Sequence, residues 1–419
     1  MDQMVITGGV PLKGEVTISG AKNAALPILA SSLLGEGVNV FSNVPRMGDI
    51  STIKKLLRWL GGRIEERDNQ CFIEFKNIEH QDAPYEMVKT MRASILVLGP
   101  LLAQCGEASV SLPGGCAIGA RPVNLTLSAL EKMGTEVKIE QGYIKARVKK
   151  LKGAKIVFDA PTVTGTENIM MAATRAEGTT ILENAACEPE IVDLANFLSL
   201  RGASIHGAGS ETITIHGVQN LQGAHYTIMP DRIEAGTFMI AGAITGGDIF
   251  IRKGRARDLK AVQIKLQEAG IQVDEDQDGI RVRAKTGIES VDFKTTPYPG
   301  FPTDLQAQMM ALMTIARGFS IITEMIFENR FNHVAELKRM GADLRITGNQ
   351  VVVRGLSRLS GAQVMASDLR ASASLILAGL AAEGETCISR IYHLDRGYEK
   401  MEEKLVPLGA KIARIKEAS

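Results

Sequence analysis

Aromatic residues are scarce in this chain: Phe, Trp and Tyr together make up 5%, with a single Trp. Alongside 45% hydrophobic and 23% charged residues, that scarcity suits an α/β protein rich in small residues and excludes a disordered or fibrous one. Neither sign of charge prevails. The 48 Lys and Arg nearly cancel the 47 Asp and Glu, so no global basic field is there to hold nucleic acid or a membrane surface, and an anionic ligand must be held by local arrangement. No run approaches the roughly 20 apolar residues that span a bilayer. The opening MDQMVITGGVPLKG has neither a basic flank nor an apolar leader segment, and a soluble, cytoplasmic protein is expected. The five cysteines, Cys71, Cys105, Cys116, Cys187 and Cys387, are odd in number and without CxxC spacing, and the six histidines form no metal-spaced cluster. Reduced thiols are expected, with no disulfide frame, zinc site or other metal.

What the chain does have is glycine, 42 of them, and an internal repeat. An apolar or long residue, Gly, a small residue, a polar residue and a β-former recur as LGGRI at Gly61, MGTEV at Gly134, RGASI at Gly202, AGIQV at Gly270, MGADL at Gly341 and LGAKI at Gly409. The intervals are 73, 68, 68, 71 and 68 residues. Before each glycine lies an amphipathic segment such as VNLTLSALEKM or VAELKRM, so the glycine reads as a helix C-cap followed by a strand. Upstream in each unit lies a helix that is apolar nearly all round, as in MMAATRAEGTTILE and FMIAGAITGGDIFI. Such a helix is expected inside its lobe with sheets outside, the inverse of an ordinary barrel. Units of about 70 residues are too long for a solenoid and too short to stand alone, so three and three is the expected grouping.

Polar residues open those apolar helices: Lys22 and Asn23, Arg92, Asn168, Asp231 and Arg232, Asp304, Asp368 and Arg370. A helix N-terminus favours anions. An Asp there is ordinarily an N-cap, the reading favoured for Asp231 and Asp368. Lys22, Arg92 and Arg370 oppose the helix dipole and point instead to an anionic ligand. Cys116 is a further candidate. It sits in SLPGGCAIGARP, between glycines and near Arg121, a setting that lowers a thiol pKa, whereas Cys71, Cys105 and Cys387 read as inert small hydrophobes.

With these residues in view, SGAKNAALP, MRASILVLGP, SLPGGCAIGARP, PDRIEAGTF, FPTDLQAQ, ENRFNHVAEL, DLRASASL and IYHLDRGYEK resemble the motifs of the UDP-N-acetylglucosamine 1-carboxyvinyltransferases, within the enolpyruvyl transferase (EPSP synthase-like) family. The likeness runs from about residue 5 to about residue 413. It implies two inside-out α/β barrel lobes of three βαβαββ repeats each: residues 22–229, and residues 1–21 with 230–419, with the active site in the cleft between them. It implies transfer of the enolpyruvyl group of phosphoenolpyruvate to the 3-hydroxyl of UDP-N-acetylglucosamine by addition and elimination, releasing phosphate, at the first committed step of peptidoglycan and cell wall synthesis, hence in cell shape and division. No cofactor is implied. The partners would be the two small-molecule substrates, for a monomer or weak homo-oligomer.

By the same resemblance Lys22, Arg121 and Arg396 grip the phosphate with Arg92 nearby, Arg330 and Arg370 support the carboxylate side or the closed state, and Asn23 orients sugar and intermediate. Asp304 takes the hydroxyl proton, as general base or late-stage acceptor. The nucleotide sugar meets Asn23, Arg92, Arg121, Pro122, Val123, the segment Thr162, Val163, Thr164 and Gly165, Asp304, and Ile326 through its main chain. Cys116 delivers a proton to the methylene carbon of phosphoenolpyruvate and is the thiol that fosfomycin alkylates. Gly114, Gly115 and Gly119 would be the pivots of a lid bounded by Pro113 and Pro122. Cys187, before Glu188, stands where the family pattern calls for a basic residue. Two other readings stay open: a 3-phosphoshikimate enolpyruvyl transferase, which shares fold and donor, and a catalytically silent paralogue that binds UDP-sugars or partner proteins.

Overall fold

In the computed structural model, which describes residues 2–89, 91–112, 123–284 and 287–416, the six periodic glycines end six helical segments in the same way. Gly61, Gly134, Gly202, Gly270, Gly341 and Gly409 all have φ between 85° and 105°. The next residue donates its N–H to a carbonyl five positions back, as Gly62 to Leu57 at 2.8 Å, Thr135 to Leu130 at 3.1 Å and Ile271 to Leu266 at 2.9 Å. This is a Schellman ending, which needs a left-handed residue and so selects glycine. After each of the six comes a β-strand that pairs with a neighbour antiparallel.

The described strands form six four-stranded sheets of one design. Lys155–Val157 pairs in parallel with Thr179–Glu183, Ile156 opposite Leu182. Thr179–Glu183 then pairs antiparallel with Thr212–His216, and that strand with Ser204–His206. Thr180 and Leu182 point inward while their neighbours face outward, the period-2 pattern of a sheet wet on one side. Inside lie the apolar helices. Leu98–Cys105 and Val163–Ala173 pack on each other in one unit, and Arg232–Ile244, Gln306–Met313 and Leu369–Ala381 pack mutually in the other. Every residue of Arg232–Ile244 is buried, as expected for a helix apolar on all sides.

Two compact units result, each with its own apolar core. The described residues of Met1–Ser19 and Pro230–Ser419 form one, here the C-terminal unit, and those between Gly20 and Met229 the other, the N-terminal unit. Each is an inside-out α/β barrel of three sheets. The repeat is cut where the chain crosses over. Lys13–Thr17 precedes the helix Lys22–Ala30 in sequence but pairs in parallel with Asp248–Arg252 of the C-terminal unit. His225–Thr227 precedes Arg232–Ile244 but pairs with Asn39–Ser42 of the N-terminal unit. Each of these strands thus pairs within its own unit, apart from the helix that follows it in sequence. Asp2–Thr7 completes the last sheet between Glu385–Ser389 and Lys411–Lys416, Met4 facing Ile388 and Arg414.

Two local features depart from the simplest reading. Arg92 opens a 3₁₀ segment, Arg92–Val97, and the α-helix Leu98–Cys105 starts only afterwards. Pro100 explains the break, since it has no N–H to offer the carbonyl four residues back. Arg201, 2% exposed and with no sequence signature, donates Nη1 to Ser31 O at 2.7 Å, Nε to Gln222 O at 2.8 Å and Nη2 to Leu34 O. It closes the end of the first inner helix with a cation, where the dipole favours one. No helix among the described residues is long and apolar enough to cross a membrane.

Candidate functional site

Asp304, Arg330 and Arg370 meet in the C-terminal unit although the first and last are 66 residues apart in sequence. Thr303–Leu305 is a single 3₁₀ turn leading into the inner helix Gln306–Met313, which lifts the Asp304 carboxylate off the helix start. Arg370 sits in the first turn of Leu369–Ala381, whose N-cap is Asp368. Arg330 Nη2 donates to Asp304 Oδ1 at 2.7 Å, while Arg370 donates Nη2 at 2.8 Å and Nε at 3.1 Å to Oδ2. The arginine side chains are 6% and 3% exposed and the Asp304 side chain 25%. Burial by itself would raise the Asp304 carboxyl, but Arg370 and then Arg330 outweigh it and hold it well below the usual carboxylate range.

Two guanidinium groups share the Asp304 carboxylate, and Asp231 adds its attraction to Arg370. Arg370 Nη1 is buried and has no hydrogen-bond partner among the described residues. Such a donor suits a second carboxylate or another oxyanion. A buried polar set supports the cluster: Gln308 Nε2 donates to the Asp304 carbonyl at 2.9 Å and to Tyr398 Oη at 3.0 Å, and Tyr398 Oη lies 2.8 Å from Thr237 Oγ1. Arg370 lies over the Tyr398 ring, its Cζ 5.3 Å from the centroid. Burial raises the Tyr398 phenol, which keeps it a donor.

Asp231 and Asp368 prove to be N-caps. Asp231 accepts from Ile233 N at 2.8 Å and Glu234 N at 3.1 Å, and Asp368 from Arg370 N and Ala371 N, both at 2.9 Å. Arg396 ends the 3₁₀ segment Ile391–Arg396, half-buried. Ile326 spends its N–H on Glu324 Oε1 at 2.8 Å, so a main-chain contact to a ligand falls to its carbonyl. His333, in the motif ENRFNHVAEL, is 2% exposed, and its Nε2 has no partner among the described residues. Burial lowers it to about 4, with Asp368 opposing and Arg330 adding to the shift. Unfolded histidine titrates near 6.5, so between about pH 6.5 and 4 only the unfolded chain holds that proton, and stability falls as pH drops through this window. His333→Gln is expected to remove a loss on the order of 2 kcal/mol at pH 4.5 relative to pH 7.5, read as the difference between wild-type and variant urea unfolding at the two pH values. Equal pH slopes would refute it.

In the N-terminal unit Lys22 begins the inner helix Lys22–Ala30, buried, with Nζ 3.2 Å from Asp49 Oδ2. Asp49 had no sequence signal beyond being an acid in a helix's first turn. Asn23 and Arg92 are half-buried at their segment starts. Asn168 takes the plainer role: its Oδ1 accepts from Gly99 N at 3.0 Å and its Nδ2 donates to Thr164 O at 3.1 Å, tying two inner helices together. A Cβ at Gly99 would come within 2.4 Å of Asn168 O, so the glycine permits that approach. Thr162 caps the helix Val163–Ala173, its Oγ1 accepting from Gly165 N at 3.2 Å, and Thr162, Val163 and Thr164 are half-buried. Val123 lies half-buried just before Asn124–Lys132. Around Cys187 the field is negative: burial, then Glu188 and Glu211, raise its thiol, and burial with Glu190 and Glu188 raises the nearby Glu167 carboxyl well above its usual value. Burial likewise raises the thiols of Cys71 and Cys105, as inert packing residues require.

Cys116, Arg121 and Pro122, with Pro113, Gly114, Gly115 and Gly119, lie outside the described residues. Among the described residues no group of three His, Cys, Asp or Glu side chains is placed to hold a metal ion.

Comparison with known proteins places this architecture. The family model described as EPSP synthase (3-phosphoshikimate 1-carboxyvinyltransferase) matches residues 6–405. A UDP-N-acetylglucosamine 1-carboxyvinyltransferase of Thermodesulfovibrio yellowstonii is 58% identical over 417 residues, covering 99% of this chain and 100% of that one, and one of Magnetococcus marinus is likewise 58% identical with the same coverage. Among solved structures, the enolpyruvyl transferase NikO of Streptomyces tendae superposes with a TM-score of 0.90 at 25% identity, covering 100% of this chain and 99% of that one. An EPSP synthase of Acinetobacter baumannii, at 19% identity and a TM-score of 0.77 over 99% and 100% of the two chains, shares the fold.

Proposed function

The chain belongs to the UDP-N-acetylglucosamine 1-carboxyvinyltransferase family, and on that premise we propose that it carries out the reaction its relatives are named for. It is a transferase of peptidoglycan synthesis that moves the enolpyruvyl group of phosphoenolpyruvate to the 3-hydroxyl of UDP-N-acetylglucosamine and releases phosphate. The observation that carries the chemistry is the cluster of Asp304, Arg330 and Arg370 with its unclaimed, buried Nη1. That nitrogen and Arg330 take the carboxylate of phosphoenolpyruvate. Lys22, Arg121 and Arg396 take the phosphate with Arg92 beside them, Asn23 orients the sugar, and the nucleotide is met by Val123, Thr162 to Gly165 and the Ile326 carbonyl.

Asp304 is a weak base while it holds both arginines. A substrate carboxylate that draws Arg370 toward itself removes the stronger of the two attractions and raises the basicity of Asp304 as the acceptor hydroxyl arrives. In the addition step the sugar oxygen bonds to C2 of phosphoenolpyruvate, Asp304 receives the hydroxyl proton, and the Cys116 thiol gives a proton to C3. Elimination then returns a proton from C3 to the Cys116 thiolate, re-forms the C2–C3 double bond and expels phosphate from C2. The protein works in the cytoplasm on these two small molecules, as a monomer or weak homo-oligomer.

Phosphate release tests the reading. Purified protein with phosphoenolpyruvate should release phosphate when UDP-N-acetylglucosamine is added and not when 3-phosphoshikimate is, and fosfomycin should abolish turnover by alkylating Cys116. Turnover with 3-phosphoshikimate alone would move the chain to the rival activity, and nucleotide-sugar binding without turnover would make it the silent paralogue.

A further inference from the structure

Glu324 is 3% exposed and receives five hydrogen bonds, all from uncharged donors. Its Oε1 accepts from Thr295 Oγ1 at 2.7 Å, from Ile326 N at 2.8 Å and from Phe327 N at 3.2 Å. Its Oε2 accepts from Thr303 Oγ1 at 2.9 Å and Gln306 Nε2 at 3.3 Å. A carboxylate accepts and does not donate, so it dictates the direction of every bond around it. Thr303 has one proton, and giving it to Glu324 leaves the hydroxyl lone pairs for Arg330, whose Nη1 donates to Thr303 Oγ1 at 2.8 Å. The other end of that guanidinium, Nη2, is the one bound to Asp304. Gln306 Nε2 adds a second link, to the Arg330 carbonyl at 3.3 Å.

We propose that Glu324 is a positioning residue for enolpyruvyl transfer: one buried charge fixes the Ile326 turn on one side and, through the Thr303 hydroxyl and Arg330, the Asp304 carboxylate on the other. The proposal rests on the reading of Asp304 and Ile326 as acceptor-site residues given above. It assigns the two branches separable effects. The Ile326 branch sets how well the nucleotide is held, and the Thr303 branch sets where the base stands.

The test uses the full chain and three variants. Thr303→Val cuts only the second branch and is expected to lower kcat about ten- to hundredfold while the KM for UDP-N-acetylglucosamine stays within about twofold, with Thr303→Ser restoring kcat because it keeps the hydroxyl. Glu324→Gln places an amide nitrogen against donors on one side of the carboxyl, and is expected to lower kcat and also weaken binding of UDP alone, by calorimetry, about tenfold. A merely structural role would lower thermal stability without this split or the serine rescue. Wild-type kcat in Thr303→Val, no rescue by Thr303→Ser, or a folded Glu324→Gln that binds UDP as wild type would each overturn the proposal. If Glu324→Gln does not fold, the Thr303 pair decides. Absence of turnover in the wild type would instead count against the functional reading, and the UDP-binding comparison would still judge Glu324.

Discussion

Asp304→Asn should lower kcat/KM by on the order of 10²- to 10⁴-fold, the range for loss of a positioned general base, while also loosening the fold. The amide keeps the shape of the carboxylate but brings no charge to Arg330 and Arg370 and turns an N–H₂ toward one of them. Breaking a fully buried pair costs about 3–5 kcal/mol, and the lower end applies because the Asp304 side chain is a quarter exposed. A second expectation separates electrostatics from packing. Phosphoenolpyruvate brings a carboxylate of its own, so it should raise the melting temperature of Asp304→Asn more than that of the wild type. Activity within about threefold of wild type would remove Asp304 from the base role. The pH behaviour follows in sign. A carboxyl held below its unfolded value contributes stability that is complete above about pH 4 and is lost only as pH falls through the lower, folded value. A loss of stability between pH 6.5 and 4 therefore belongs to the histidines, buried His333 and in smaller part half-buried His393, and not to Asp304.

Arg201→Met should destabilise the protein by on the order of 3 kcal/mol without changing the turnover of folded molecules. Three main-chain carbonyls, of Ser31, Leu34 and Gln222, would lose their donor, at about 1 kcal/mol for each unsatisfied acceptor. Methionine fills much of the aliphatic volume, so the loss reads the hydrogen bonds more than a cavity. Burial lowers the Arg201 guanidinium to about 10, still leaving it charged at neutral pH. Urea unfolding of the two proteins gives the comparison, with phosphate release measured per folded molecule. A shift of less than about 0.5 kcal/mol, within the range of an ordinary surface substitution, would show that these carbonyls find other partners.

The candidate site was only partly legible. Asp231 and Asp368 read correctly as N-caps because capping is decided within three residues of chain. Arg370 stood out because a cation in a helix's first turn opposes the dipole and calls for an anion. In the folded chain Arg370 also binds Asp304, from another repeat, and nothing in the spacing of the two residues announced that contact. Glu324 carried no signal, and Gln308 and Tyr398, though inside the motifs FPTDLQAQ and IYHLDRGYEK, were given no role: each is singled out only by what surrounds it once the chain is folded.

Read alone, the sequence determined what acts over a few residues or one period. Six glycines at intervals of 68 to 73 residues mark six helix ends, because only a left-handed residue closes a Schellman turn. Helices apolar on every side had to be buried, and the sheets had to lie outside them, because no other arrangement removes all those faces from water. Tertiary structure decided the rest. The pairing of Lys13–Thr17 with Asp248–Arg252 and of His225–Thr227 with Asn39–Ser42, the joining of Asp2–Thr7 to the C-terminal strands, and the meeting of Arg201 with a helix end 170 residues away depend on contacts distant in sequence. Such contacts leave no periodic trace, since any strand of the right pattern satisfies the local rules and only the closing of each barrel selects its partner.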